Sequence, residues 1–158
     1  MKNNKKFPSL LVFAAVILAA CSLHSCSKSS GNTAAADSAY VTATIQGLAF
    51  SAKGINQAYA GSSSSGGLTV LSIYGVAANG QAIVLNLVNN AGVGVTYLAT
   101  AGGSADYYPS GGLQGSYFYA TSGSVTLTAT TPNLKGSFSF VTSDSKTIGA
   151  GSFSVPAP

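Results

Sequence analysis

LTVLSIYGV at 68–76, AANG at 77–80 and QAIVLNLV at 81–88 decide the fold class. Two runs rich in β-branched and aliphatic residues flank a short link ending in Asn79-Gly80. Asn-Gly between such runs is the strongest local signal for a β-hairpin, because both residues tolerate the positive φ that tight turns need. In the second run Ile83, Leu85 and Leu87 share one face, while Ala82, Val84 and Asn86 share the other. A strand that is apolar on both faces is expected inside a sheet and not at its edge.

The same grammar extends in both directions. Tyr40–Ile45 and Leu48–Ala52 flank Gln46-Gly47. Val95–Thr100, Ser116–Ala120, Ser124–Thr130, Leu134–Val141 and Thr147–Val155 read as further strands. Period-two alternation sets Val125, Leu127 and Ala129 against Ser124, Thr126, Thr128 and Thr130. It also sets Phe138 and Phe140 against Ser137 and Ser139. The expected core unites Ile73, Leu85, Leu87, Val125, Leu127, Phe138, Phe140 and Phe153. GSSSSGG at 61–67 and the Gly-, Tyr- and Ser-rich stretch after Thr100 read as loops. With 19 glycines and neither Glu nor Arg in 158 residues, no segment favours a helix beyond the N-terminus. The pattern predicts an all-β domain over 40–158: an antiparallel β-sandwich built largely of consecutive hairpins, or a flattened up-and-down barrel. One place breaks phase. Ile148 and Phe153 lie an odd number of residues apart, and Gly149-Ala150-Gly151 between them offers a bulge that restores it.

The N-terminus speaks a different language. Lys2, Lys5 and Lys6 precede eleven uninterrupted apolar residues, Leu10–Ala20. A basic start and a short apolar stretch describe a secretory signal, and eleven residues fall well short of the roughly 20 that span a bilayer. A helix is expected over about Pro8–Ala20. The two cysteines, Cys21 and Cys26, stand directly behind this run, and 27–38 reads SKSSGNTAAADS. That composition cannot bury enough apolar surface to offset its ordering entropy, so it is expected to be a tether. The expected organisation is a leader over 1–20 (1–25 if Cys26 is the modified residue), an anchor and tether over 21–39, and the β-domain.

The net charge of +4 belongs mainly to the leader. Beyond Cys26, Lys28, Lys53, Lys135 and Lys146 face Asp37, Asp106 and Asp144. A nucleic-acid binder needs a basic patch on its folded domain, and none can be assembled from these residues.

Leu18-Ala19-Ala20-Cys21 resembles the lipobox of bacterial lipoproteins at every position. Leu23-His24-Ser25-Cys26 matches it less well, although Cys-Ser-Lys-Ser-Ser at 26–30 looks like the start of many mature lipoproteins of the Bacteroidota type. The order of YVTATIQGLAFSA, GSVTLTA, KGSFSF and GAGSFSV is similar to a family of small Bacteroidota lipoproteins carrying one β-domain of unknown function. Leu48-Ala49-Phe50 departs from that family, which usually has an aromatic, often Trp, directly after the turn. The resemblance implies lipidation at Cys21 (alternatively Cys26) and membrane attachment through N-terminal acyl chains. Two or three such chains hold durably, each buried methylene contributing about 0.8 kcal/mol. No acidic pair follows either cysteine and no Asp follows directly, so the resemblance implies the periplasmic face of the outer membrane. It implies no catalytic residue.

Chemistry-bearing residues are scarce. The β-domain contains no His, Cys, Glu, Arg or Trp, which removes a Ser-His-Asp triad and the usual ligands for zinc and copper. Ser143-Asp144-Ser145-Lys146 matches S-x-x-K, but it lies between two strands and not on a helix, with no S-D-N or K-T-G beside it. Neither an enzyme nor a cofactor is expected. What remains is tyrosine: Tyr107 and Tyr108 before Pro109, and Tyr117 and Tyr119 around Phe118. Rings with hydroxyl handles suit sugar stacking and protein interfaces. If Phe118 turns inward, Tyr117 and Tyr119 form an outward pair. The expectation is a non-catalytic, lipid-anchored envelope binding or accessory module meeting a neutral glycan or an envelope protein. The alternative is a structural spacer or assembly component.

Overall fold

The alternating segments do form strands in a computed structural model, which describes residues 38–89 and 92–158. The expected leader helix, Cys21, Cys26 and the tether up to 37 lie outside the described residues. Within them the order is β1 (Tyr40–Ile45), β2 (Leu48–Lys53), β3 (Ala58–Ser65), β4 (Leu68–Val76), β5 (Ala82–Val88), β6 (Gly94–Tyr97), β7 (Gly103–Tyr108), β8 (Phe118–Ala129), β9 (Asn133–Thr142) and β10 (Thr147–Pro156). One antiparallel sheet runs β2-β1-β10-β9-β8-β7-β5-β4-β3, and β6 joins β8 off that path. β4 packs against β1 and β2, and β3 against β10, so the sheet curls until it is nearly closed into a barrel. Consecutive hairpins make most of the connections. In the first, Gln46 and Gly47 both have positive φ, 52° and 81°, as a two-residue turn between right-twisted strands requires.

β8 explains the curl. Its first residues, Phe118 and Tyr119, pair with β7, its later ones with β6, and its opposite edge with β9. The ladder with β9 slips between Ala120 and Ser122 and again between Leu127 and Ala129. Each slip bends the strand and raises its twist. The two strands expected at Ser116–Ala120 and Ser124–Thr130 are therefore one bent strand. Gly123 is needed inside it: its φ is 137°, and a Cβ there would lie 2.3 Å from the Ser139 carbonyl oxygen.

The core follows the alternation. All eight expected core residues are buried in one cluster. The Phe138 ring lies 6.2 Å from Phe140 and 6.4 Å from Phe153. β5 is internal, with Ala82, Ile83, Val84, Leu85 and Leu87 all buried. Opposite walls meet closely where β4 crosses β1: a Cβ at Gly75 would sit 2.7 Å from Val41 Cβ. In β10 one extra residue separates Ile148 from Gly151 relative to β9, Ala150 takes φ 46°, and both Ile148 and Phe153 end up buried. The phase break at Gly149–Gly151 is a β-bulge.

Several loop readings need correcting. Ala58–Ser65 is an edge strand, and only Gly66-Gly67 turns. Its serines are held by backbone pairing to Leu68–Leu71, so a hydrophobic pattern is not required of them. Gly103–Tyr108 is a strand as well, paired to β5 from Ala82 to Leu87. Gly103 is needed there because a Cβ would press within 2.9 Å of Thr96 Cγ2. The strand expected at Val95–Thr100 ends at Tyr97, since Ala99 adopts φ 58°. Ala129, past the second slip of β8, is only half-buried.

Candidate functional site

Strand register lays out the outer face of β3, β4, β5, β7 and β8 row by row. Gly75, Ile83, Tyr107 and Phe118 lie opposite one another and point inward. Side chains alternate along each strand, so the next row, Tyr59, Tyr74, Val84, Asp106 and Tyr119, points outward across all five strands. Tyr108, opposite Ala82, lies on the same outer face.

The four expected tyrosines divide accordingly. Phe118 turns toward the core and packs against it, leaving Tyr117 and Tyr119 outward, 56% and 58% exposed. Tyr108 joins them, its ring centroid 5.4 Å from that of Tyr117. Tyr107 does not. It is 2% exposed, and its hydroxyl accepts a hydrogen bond from Gln81 Nε2 at 2.9 Å. Adjacent residues in a strand face opposite ways, so Tyr107 belongs to the core and is closed to a surface ligand.

Sequence reasoning missed three residues that the register adds. Tyr59 and Tyr74 stack across β3 and β4 with centroids 4.8 Å apart and ring planes 18° apart. Tyr74 was legible: it alternates with Ile73, whose place in the core was expected. Asp106 stands opposite Tyr119. Burial pushes its carboxyl above the usual aspartate value. Tyr108 is raised as well, first by burial and then by the nearby Asp106 charge, Tyr117 and Tyr74, which ties the two aromatic groups into one neighbourhood. One row further along, Ser72 Oγ donates to Asn86 Oδ1 at 2.7 Å and Asn86 Nδ2 donates to Ser104 Oγ at 3.3 Å. A polar ladder thus runs beside the rings. Gly112 N–H bonds to the Gly80 carbonyl at 2.8 Å, which pins the loop between Tyr108 and Tyr117 to the β4–β5 turn.

The S-x-x-K tetrad is the β9–β10 turn. Thr142 and Lys146 both bond to Asp144, and the Lys146 ammonium sits 4.9 Å from the Phe118 ring centroid. Partial desolvation of Asp144 opposes its ionisation. The bonds from Lys146 and Thr142 and the Lys146 charge outweigh that and hold the carboxyl below its usual value. Ser143 contributes its backbone N–H to the Tyr119 carbonyl. This arrangement fixes a turn.

No protein-family model, curated protein or solved structure matches the chain.

Proposed function

We propose that the chain is a non-catalytic binding module of the bacterial cell envelope, anchored at the outer membrane through acyl chains on Cys21 (alternatively Cys26). The leader, the lipobox and the polar stretch behind it support the anchor. The recognition surface is the outward face of β3, β4, β5, β7 and β8. The observation that carries this reading is the pairing of Tyr108 with Tyr117 at 5.4 Å, with Tyr119 exposed beside them and Phe118 turned inward. Large rings kept in solvent on a domain with a well-filled core suit contact with a partner.

Cross-linking of the full-length chain in intact envelopes tests it. The double variant Tyr117→Ala, Tyr119→Ala should fold normally and lose the partner recovered with the wild type. Unchanged recovery from a folded variant would overturn the reading.

A further inference from the structure

We infer that the partner of this face is an uncharged, extended glycan lying across the strands from Tyr59–Tyr74 to Tyr108–Tyr117–Tyr119. This rests on the binding-module reading above and supplies its ligand class. Three observations converge on it.

The first is shape. Adjacent strands lie about 4.8 Å apart, so the row from β3 to β8 spans roughly 19 Å, the length of a short oligosaccharide. Between the two aromatic groups β5 contributes Ala82 and Val84, both buried, with Asn86 one row further along. The surface is therefore a shallow, side-on platform, suited to a chain and not to a compact molecule.

The second is the hydrogen-bonding inventory. A pyranose presents a face of C–H bonds rimmed by hydroxyls, and tyrosine offers a ring for the former and an O–H for the latter. The Ser72–Asn86–Ser104 ladder keeps spare capacity, because an amide has two donors and two lone pairs and each serine can also accept. Asp106 adds a carboxylate that can accept from two hydroxyls. Around these rings the outward residues are Val76, Ala82, Val84, Asp106, Asn86, Ser72 and Ser104; Ala82 and Val84 are buried and Val76 is half-buried, so no aliphatic side chain stands exposed among them. A protein interface would put such side chains at its centre.

The third is charge. Of the described lysines, Lys53 is on β2, Lys135 on β9 and Lys146 bonds to Asp144. The tyrosine face holds one carboxylate and no cation, so phosphates, nucleic acids and uronates would meet repulsion with nothing to offset it.

The test uses the full-length chain in detergent micelles with ring-labelled tyrosine, read by NMR. Soluble neutral hexasaccharides of glucose, mannose, xylose and galactose are titrated in turn, with hexagalacturonate as the charged comparator. At least one neutral sugar should move Tyr59, Tyr74, Tyr108, Tyr117 and Tyr119 saturably, leave Tyr40, Tyr97 and Tyr107 in place, and bind more tightly than hexagalacturonate. Tyr74→Ala and Asp106→Ala should each weaken binding about tenfold, equivalent to about 1.4 kcal/mol, while Ser152→Ala on the opposite wall changes nothing. If either variant melts early, the wild-type ring shifts decide alone. Absence of shifts with every neutral sugar, or shifts at Tyr97 instead, overturns the inference. If the sugars fail while Tyr117→Ala, Tyr119→Ala still loses its cross-linked partner, the glycan is wrong and the binding module stands.

Discussion

The barrel has two outward faces built by the same alternation, and they carry different chemistry. Across β2, β1, β10, β9 and β8, register aligns Ser51, Thr42, Ser152, Ser137 and Thr126. Across β3, β4, β5, β7 and β8 it aligns Tyr59, Tyr74, Val84, Asp106 and Tyr119. The first face turns on itself: Thr42 Oγ1 and Ser152 Oγ share a hydrogen bond at 3.0 Å, and Thr44 Oγ1 donates to the Gly149 carbonyl at 3.0 Å. Thr42, Ser152 and Thr44 are satisfied by their neighbours, and the other hydroxyls of the row are short side chains with neither a ring nor an amide to offer. The second face holds Tyr117 and Tyr119 in solvent, with Tyr59, Tyr74 and Tyr108 half-buried beside them, and leaves part of the Asn86 amide's valence open. The hydroxyl wall presents no ring, whereas the tyrosine wall presents several, and the proposed recognition rests on that difference.

Beneath both faces the core should respond alike, and most strongly. Phe140→Ala empties a site 2% exposed and should cost about 3–5 kcal/mol in chemical denaturation. Gly75→Ala comes next. Its new Cβ would lie 2.7 Å from Val41 Cβ, forcing apart the two walls where they cross, and overpacking of this kind costs about 1–3 kcal/mol. A neutral result at either site would mean that the walls are not packed as described.

On the tyrosine face the effects on stability should be small, which is what separates recognition from packing. Tyr117→Ala, Tyr119→Ala should shift stability by only about 0.5 kcal/mol. A loss of several kcal/mol would return these rings to a structural role. Smaller still, and pH-dependent, is Asp106→Asn. Burial raises the folded-state pKa above 3.8, so the folded state holds the proton more tightly than the unfolded chain. Stability from this group is highest below the unfolded value and falls as pH rises through the raised folded one. Asp106→Asn should therefore stabilise slightly at neutral pH, with the gain vanishing in acid. A gain that persisted below about pH 4 would contradict burial as the cause.

The sequence made the interior more legible than the site. Ile83, Leu85 and Leu87, Val125 and Leu127, and Phe138 and Phe140 declare their faces because bulky side chains alternate with small or polar ones. The odd spacing of Ile148 and Phe153 even exposes the β10 bulge. Ser62–Ser65 declare nothing, since an edge strand made of serine is defined by its backbone bonds to β4. Gly103, Ala105 and Ser104 are likewise too small to show a period, so the sequence hides β7 and reads Tyr107 and Tyr108 as parts of one loop. Once they are in a strand, the pleat must separate them. The row joining Tyr59 to Tyr119 could not be seen in advance, because it depends on which strands neighbour which. β7 lies between β5 and β8 only because β6 leaves the path.

The most direct measurement of the contrast between the faces is tyrosine nitration of the full-length chain, compared between intact envelopes and purified protein in detergent. Tyr97 is 68% exposed on β6, away from the tyrosine row, and serves as the internal control. The account predicts that in envelopes Tyr117 and Tyr119 are protected while Tyr97 reacts as it does in the purified protein. Equal reactivity of Tyr117 and Tyr119 in both preparations, or protection of Tyr97 in their place, would contradict it.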